Sequence, residues 1–387
     1  MNTYIRPIYT FARSRSLFFF LCVLCNLCGQ TLAQDFKTVH DGIEYAKVSK
    51  EIGGLNVNID LLRLDLKKVR LDVHHAMDAA IGTEKTSSIA MRHGAAAAIN
   101  AGFFRLDTSI FAGDAAGTLM IDGDLLSESR DSRSAILIAN APGATRVVLA
   151  NLDIWANMHM GRFSYPLNGV NRERKDNEFV LYTPEFGRST LTSSGTEYIV
   201  RRGRIVKISY SGSSPIPADG FVLSAGDKWN DDPYKRLKVT NPSRIVLRRG
   251  FDNNAGDFVA EDITNGVSQL ISGSQVSLTW EKEKSNKAFA ETRHPRTAVA
   301  KLNDGKFLMI TVDGRSESSG GISLQDLAEY LLSLGAVDAM NLDGGGSTTM
   351  FLDGKVVNTP SDKEGERKIG DAILVTLRKK PPAKSKK

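Results

Sequence analysis

From residue 42 to about 77 apolar and polar positions alternate: Leu55-Asn56-Val57-Asn58-Ile59-Asp60, then Leu62-Arg63-Leu64-Asp65-Leu66, then Val69-Arg70-Leu71-Asp72-Val73. A period of two predicts half-buried strands with one wet face. Residues 87–93 read as a short helix and 95–100 as a strand of small residues. A hairpin is expected over 118–127, turning at Asp122-Gly123, and a further strand over 133–139. Shorter runs at 147–152, 178–182, 198–201, 205–210 and 220–223 are separated by Gly, Ser, Pro and charges, which predicts more sheet with long loops. The last strand is 372–377.

The densest pattern lies between Arg296 and Met350. Runs 297–302 and 306–312 are rich in β-branched residues and flank Asn303-Asp304-Gly305-Lys306. Asp-Gly favours a type I′ turn, which needs positive φ at both central positions. With Asp304 and Gly305 at the centre, Lys301 pairs with Leu308, Val299 with Ile310, and Arg296 with Asp313. Opposed side chains share a face, so the hairpin is expected to set a cation beside a carboxylate at its open end, with Arg315 close behind. A rim salt bridge would look the same.

Ser323 reads as an N-cap, with Asp326 three residues on. Leu324, Leu327, Ala328, Leu331 and Leu332 follow helical spacing and Gly335 supplies the stop, so 323–334 is expected to be a helix with one buried face. A buried strand over 336–342 then ends in Asp343-Gly344-Gly345-Gly346-Ser347-Thr348-Thr349. Glycines remove side chains so that backbone amides can approach a ligand, and such amides make an anion-binding concavity. A tight β–β connection is the plainer reading. The loop lacks the Gly-Lys-Ser/Thr ending of a nucleotide phosphate loop.

Charge and cysteine content change the picture at the ends of the chain. Arg6, Arg13 and Arg15 precede an apolar run from Leu17 to about Cys28, with small residues near Ala33; residues 1–33 read as a secretory signal peptide. The run is short for a stable membrane anchor, and neither Cys25 nor Cys28 follows the small residue expected before a lipidated cysteine. All three cysteines, at positions 22, 25 and 28, fall in this segment, which leaves the body without disulfides, thiolate nucleophiles or cysteine metal sites. The net charge of +6 resides in the signal's three Arg and in six basic residues of the 378–387 tail, expected to be disordered; residues 34–377 sum to −3. No basic stripe for nucleic acid is left.

Other chemistry is thinner. Asn100-Ala101-Gly102-Phe103-Phe104 ends a strand with a glycine and two aromatics, a floor that suits a sugar face; a core Phe pair after a turn is the alternative. The His74-His75 pair suggests a metal, but no third ligand sits at useful spacing, so a cleft-rim pair is expected. Asp252–Asp257 looks faintly like a calcium loop and fails the spacing.

Taken together, T-V-D-G-R (311–315), G-I-S-L-x-x-L-A-E-Y-L-L (321–332), N-L-D-G-G-G-S-T-T-M (341–350) and T-P-S-D (359–362) resemble the phosphodiester glycosidase family, as do I-N-A-G-F-F (99–104) and H-P-R-T-A (294–298). Asn265-Gly266 stands where that family usually has Gly-Gly. The resemblance implies hydrolysis of a sugar 1-phosphodiester, of the N-acetylglucosamine-1-phosphate type. Its leaving group is a phosphate monoester with a second pKa of about 6, which needs little protonation. Arg296 and the Gly344–Ser347 amides are candidates for the phosphate, with Asn100, Gly102, Phe103, Arg315 and Thr348 as further substrate contacts. Asp313 and Asp343 are the catalytic candidates, as nucleophile or as base on water. The same two, with Asn100 or Asn341, also make an acceptable oxygen site for a divalent cation such as calcium.

The expected architecture is one α+β domain over 34–377, strand-rich, with a few helices packed on a mixed sheet. It would be exported to the periplasm or beyond and act on a glycan, with no nucleic-acid partner and no stable membrane span. Two other readings stand beside it. One is a carbohydrate-binding or exopolysaccharide assembly protein without turnover; the other is a metal-dependent phosphodiesterase cutting P–O.

Overall fold

The computed structural model describes residues 35–160, 163–229, 245–253 and 258–378. The expected signal peptide, nearly all of the basic tail and most of the 252–257 turn lie outside the described residues. The chain from Asp35 onward clusters as one compact unit.

Two sheets carry the site. The larger has eight strands, in the order Lys37–His40, Ile43–Ile52, Leu55–Leu64, Phe307–Val312, Arg296–Leu302, Ala336–Asn341, Gln269–Ser272 and Gln275–Val276. The smaller has five, in the order Lys355–Val356, Met350–Leu352, Ala97–Asn100, Asp371–Leu377 and Val69–His75. Leu62, Val299 and Met309 from the first sheet meet Leu71, Ile99 and Ile373 from the second in one apolar layer. Helix α1 (Thr86–Arg92) covers the outer face of the smaller sheet through Ile89 and Ala90. On the far face of the larger sheet, α3 (Leu324–Ser333) buries Leu324, Leu327, Ala328 and Leu331 beside the short α2 (Lys287–Glu291). A second lobe of sheet, centred on Ser129–Asn140 and Thr145–Met160, accounts for the less patterned middle of the chain.

Strands dominate. The three described α-helices have seven, five and ten residues, so the α+β expectation fits only loosely. Every described pairing is antiparallel except Gly169–Val170 with Phe179–Tyr182, so the expected mixed sheet is nearly all antiparallel. The one-wet-face expectation also fails for Leu55–Leu64: Ile59, Asp60, Leu61 and Leu62 are all fully buried, because the strand is sandwiched between α3 and the smaller sheet.

The local signals held where the chemistry is local. Ser323 caps α3, its Oγ accepting from Asp326 N at 3.1 Å. The Asp122-Gly123 turn has positive φ at both residues, 51° and 81°. The Asp304-Gly305 turn does not: Gly305 alone is left-handed, at φ 80°. Leu302 N donates to Lys306 O at 2.9 Å and Gly305 N to Leu302 O at 3.0 Å, which closes a three-residue loop. The register is therefore one residue off expectation. Lys301 pairs with Phe307, Val299 with Met309, and Arg296 with Val312 rather than Asp313. A slip of one residue sends a side chain to the other face of the sheet. Arg296 lies toward the helices and Asp313 toward the smaller sheet.

Candidate active site

The site forms where strand ends from both sheets meet the loop after Asn341. Asn100 ends its strand fully buried. Its Oδ1 accepts from Thr297 Oγ1 at 2.7 Å and Thr349 N at 3.0 Å, and its Nδ2 donates to Asp343 O at 2.7 Å. This corrects the expectation of a substrate contact: Asn100 ties three segments together behind the site. Asn341 is likewise fully buried, its Nδ2 donating to Val267 O and Leu342 O.

Gly102 N donates to Asp371 Oδ1 at 2.8 Å, and Thr264 donates to Asp371 Oδ2. Burial raises the Asp371 carboxyl, while Thr264, His75 and Gly102 pull it back. Asp343 starts the glycine loop, and its Oδ1 accepts from Gly344 N at 2.9 Å. Burial pushes its carboxyl up to about 6, with Ser347, Gly344 and Arg367 opposing and Asp371 adding. Phe103 N donates to Asn265 Oδ1 at 3.2 Å, and the Phe103 ring meets Phe289 edge-on at 6.0 Å. Phe289 in turn lies 4.9 Å from the Arg296 guanidinium carbon.

Each glycine of the triplet is covered by an arginine. A β-carbon on Gly344 would lie 3.7 Å from Arg296 Cδ, and one on Gly345 would lie 3.1 Å from an Arg315 nitrogen. One on Gly346 would collide with Arg367, which grips Asp362 through two hydrogen bonds of 2.7 and 3.0 Å. Several amides of the loop are already engaged. Gly344 N is taken by Asp343, Gly345 N donates to Pro295 O, Ser347 N to Gly344 O and Thr348 N to Gly345 O. The arginines bring positive charge to the same loop.

Two of the arginines are without carboxylate partners among the described residues. Arg296 donates to the carbonyls of Ile322, Phe289 and Thr292, and burial together with Arg315 lowers it to about 10. Arg315 is exposed, sits 3.3 Å from His294 Nδ1 and holds φ at 60°, left-handed for a non-glycine residue. Burial, with Arg296 and Arg315 nearby, lowers His294.

Asp313 is 3% exposed. Its Oδ1 accepts from Asn358 Nδ2 at 3.2 Å and Thr359 N at 3.0 Å, and burial raises it. Among the described residues it shares no hydrogen-bond donor with Asp343, and its Oδ2 is buried without a hydrogen-bond partner.

Sequence reasoning missed Asp371, Arg367, Thr264 and Asn265. Asp371 carried a usable signal: it follows Gly370 and starts a strand, the context that singled out Asp343 at a strand's end. Nothing local marks the others.

The phosphodiester glycosidase family model matches residues 194–376. N-acetylglucosamine-1-phosphodiester alpha-N-acetylglucosaminidases from Bos taurus and Homo sapiens are 43% and 40% identical over 74 residues, which is 19% of this chain and 14% of each of theirs. An uncharacterised prophage protein of Bacillus subtilis is 42% identical over 84 residues, covering 22% of this chain and 13% of its own. The matches therefore span about a seventh of the curated relatives' length. A hypothetical protein of Synechocystis shares the fold at a TM-score of 0.74 and 23% identity, covering 89% of this chain and 63% of that one. A Burkholderia pseudomallei protein named as exported does so at 0.71 and 23%, covering 83% and 74%. Asn265, Arg296, Asp313, Arg315, Asp343, Arg367 and Asp371 all lie inside the matched span, and residues 194–376 of this chain carry the domain of the phosphodiester glycosidase family.

Proposed function

We propose that the protein is exported by its 1–33 segment and hydrolyses a glycosyl phosphodiester of the N-acetylglucosamine-1-phosphate type in an envelope or extracellular polysaccharide. The observation that carries this reading is Asp343 at the start of the glycine loop, with Arg296 and Arg315, neither bound to a carboxylate among the described residues, against the same loop. The anomeric carbon sits toward Asp343 and the phosphate toward Arg315. Asp343 attacks that carbon or takes a proton from the water that does. The bond from the anomeric carbon to the phosphate oxygen breaks, and its electron pair leaves with the phosphate monoester. A phosphate of second pKa about 6 leaves without an acid's help, and a guanidinium at hydrogen-bond distance stabilises its growing charge. Phe103 and Phe289 offer the ring surface for the sugar. Asp313 is a positioning residue that holds the 358–359 segment in place.

The test is release of N-acetylglucosamine from an α-linked 1-phosphodiester by wild type and by Asp343→Asn, run in heavy-oxygen water. Label in the sugar and loss of release in the folded variant support the reading. Label in the phosphate would show P–O cleavage. Glycan binding without release, unchanged in Asp343→Asn, would mark a binding protein.

A further inference from the structure

His74 and His75 are neighbours in the chain but face opposite ways across their strand. His75, 1% exposed, turns inward, with Nε2 2.9 Å from Gly113 O and Nδ1 3.1 Å from Ala76 O. His74 lines a cavity of about 310 Å³, whose wall His75 also reaches. Two residues from other elements join it there. Asp78 closes the turn Ala76–Asp78, where Met77 and Asp78 both hold positive φ, 58° and 51°. His93 caps the C-terminus of α1. The two imidazoles stack with centroids 3.7 Å apart and planes inclined by 26°, and His93 Nε2 lies 3.0 Å from Asp78 Oδ1.

One donor atom each from His74, Asp78 and His93 falls within 4.8 Å of the other two. Tetrahedral ligation at 2.0–2.2 Å places donor atoms roughly 3.4 Å apart, so small side-chain rotations close the set. The surroundings favour a dication: Asp122, Asp124 and Glu185 line the same cavity. The nearby cation, Arg92, bridges Asp78 and Glu84 and lies 3.0 Å from His93 Nε2, and it keeps Glu84 at 2.8 Å if Asp78 and His93 turn to a metal.

We propose that His74, Asp78 and His93 bind one divalent transition-metal ion of the zinc, cobalt or nickel type, with the fourth position open to solvent. Two imidazoles select against calcium and magnesium, which prefer oxygen. The ion would fasten the end of the Val69–His75 strand to α1, and that strand end is where His75 pairs with Asp371 across the sheet.

The experiment titrates untagged, metal-free protein with Zn²⁺ by calorimetry and with Co²⁺ by visible absorption. One equivalent of Zn²⁺, a rise in melting temperature and a four-coordinate Co²⁺ spectrum are expected. His93→Ala and Asp78→Asn each weaken binding by roughly tenfold or more, whereas His159→Ala leaves it unchanged. No saturable binding, equal binding by His93→Ala, or a Co²⁺ spectrum typical of six oxygen ligands would overturn the assignment. The Co²⁺ spectrum is read on wild type and so does not depend on any variant folding.

Discussion

Gly102 and Asp371 are locked together across neighbouring strands: the glycine amide donates to Oδ1 at 2.8 Å, and a β-carbon at residue 102 would lie 2.9 Å from that same oxygen. The added carbon would also meet Thr264 Oγ1 at 2.7 Å and Asn265 Nδ2 at 2.8 Å. Gly102→Ala is therefore expected to push Asp371 off its donors and to cost about 1–3 kcal/mol, as overpacking does. Urea unfolding measures that cost. The loss of sugar release should exceed what the unfolded fraction explains.

The Asp343 carboxyl, raised to about 6 by burial, must be ionised to act as nucleophile or base. kcat/KM for the phosphodiester is expected to rise with pH through about 6 and then level off. A flat profile from pH 4.5 to 8 would remove Asp343 from the role.

Arg315 is exposed and carries no ion pair among the described residues, so Arg315→Ala should leave the melting temperature within a degree or two while raising KM roughly tenfold or more, as losing one charge-assisted hydrogen bond does. Arg315→Lys recovers part of that, because a point charge replaces a planar fork. Inhibition by inorganic phosphate, compared across the three proteins, separates anion binding from a general effect on the site.

Asn100→Ala leaves the Thr349 amide without its acceptor and removes three hydrogen bonds from a fully buried position. A loss of about 3–4 kcal/mol is expected. Thermal unfolding measures it, and unfolding behaviour close to wild type would contradict the tie described here.

Asp60 is fully buried, accepts from Tyr45 at 2.5 Å, and is raised to about 6 chiefly by burial. A carboxyl raised in the folded state binds its proton more tightly there than in the unfolded chain. Its contribution is therefore most favourable below pH 4 and declines as pH rises through 6, by on the order of 2–3 kcal/mol. Asp60→Asn should flatten that decline in urea unfolding at pH 4.5, 6 and 7.5.

What the sequence disclosed was what neighbours decide. The Ser323 cap, the spacing of Leu324, Leu327 and Leu331, and the Asp122-Gly123 turn depend on residues a few positions apart, and each was legible. Asp343 stood out because it combines a strand end with a glycine run. Asp371 meets Gly102 across a separation of 269 residues, and Arg367 covers Gly346 through a loop with no periodicity. Asn100 shows the reverse case. Its position at a strand end beside Gly102 suggested a ligand contact, but the sheet above it closes over the side chain and turns it into a brace. Nor could the letters Asp-Gly reveal that Asp304 would stay right-handed, and on that one dihedral the Arg296 expectation turned.

That turn couples chain length to chemistry. Because the Asn303–Gly305 loop has three residues, Arg296 faces the helices. Shortening the loop by one and shifting this strand's register would turn the same arginine to the Asp313 side, and would turn Thr297 away from Asn100 with it. A deletion at an exposed hairpin tip, far from any substrate, is thus a route by which a descendant of this chain could exchange a carbonyl-held cation for an ion pair. Loop length here is a heritable switch of charge placement.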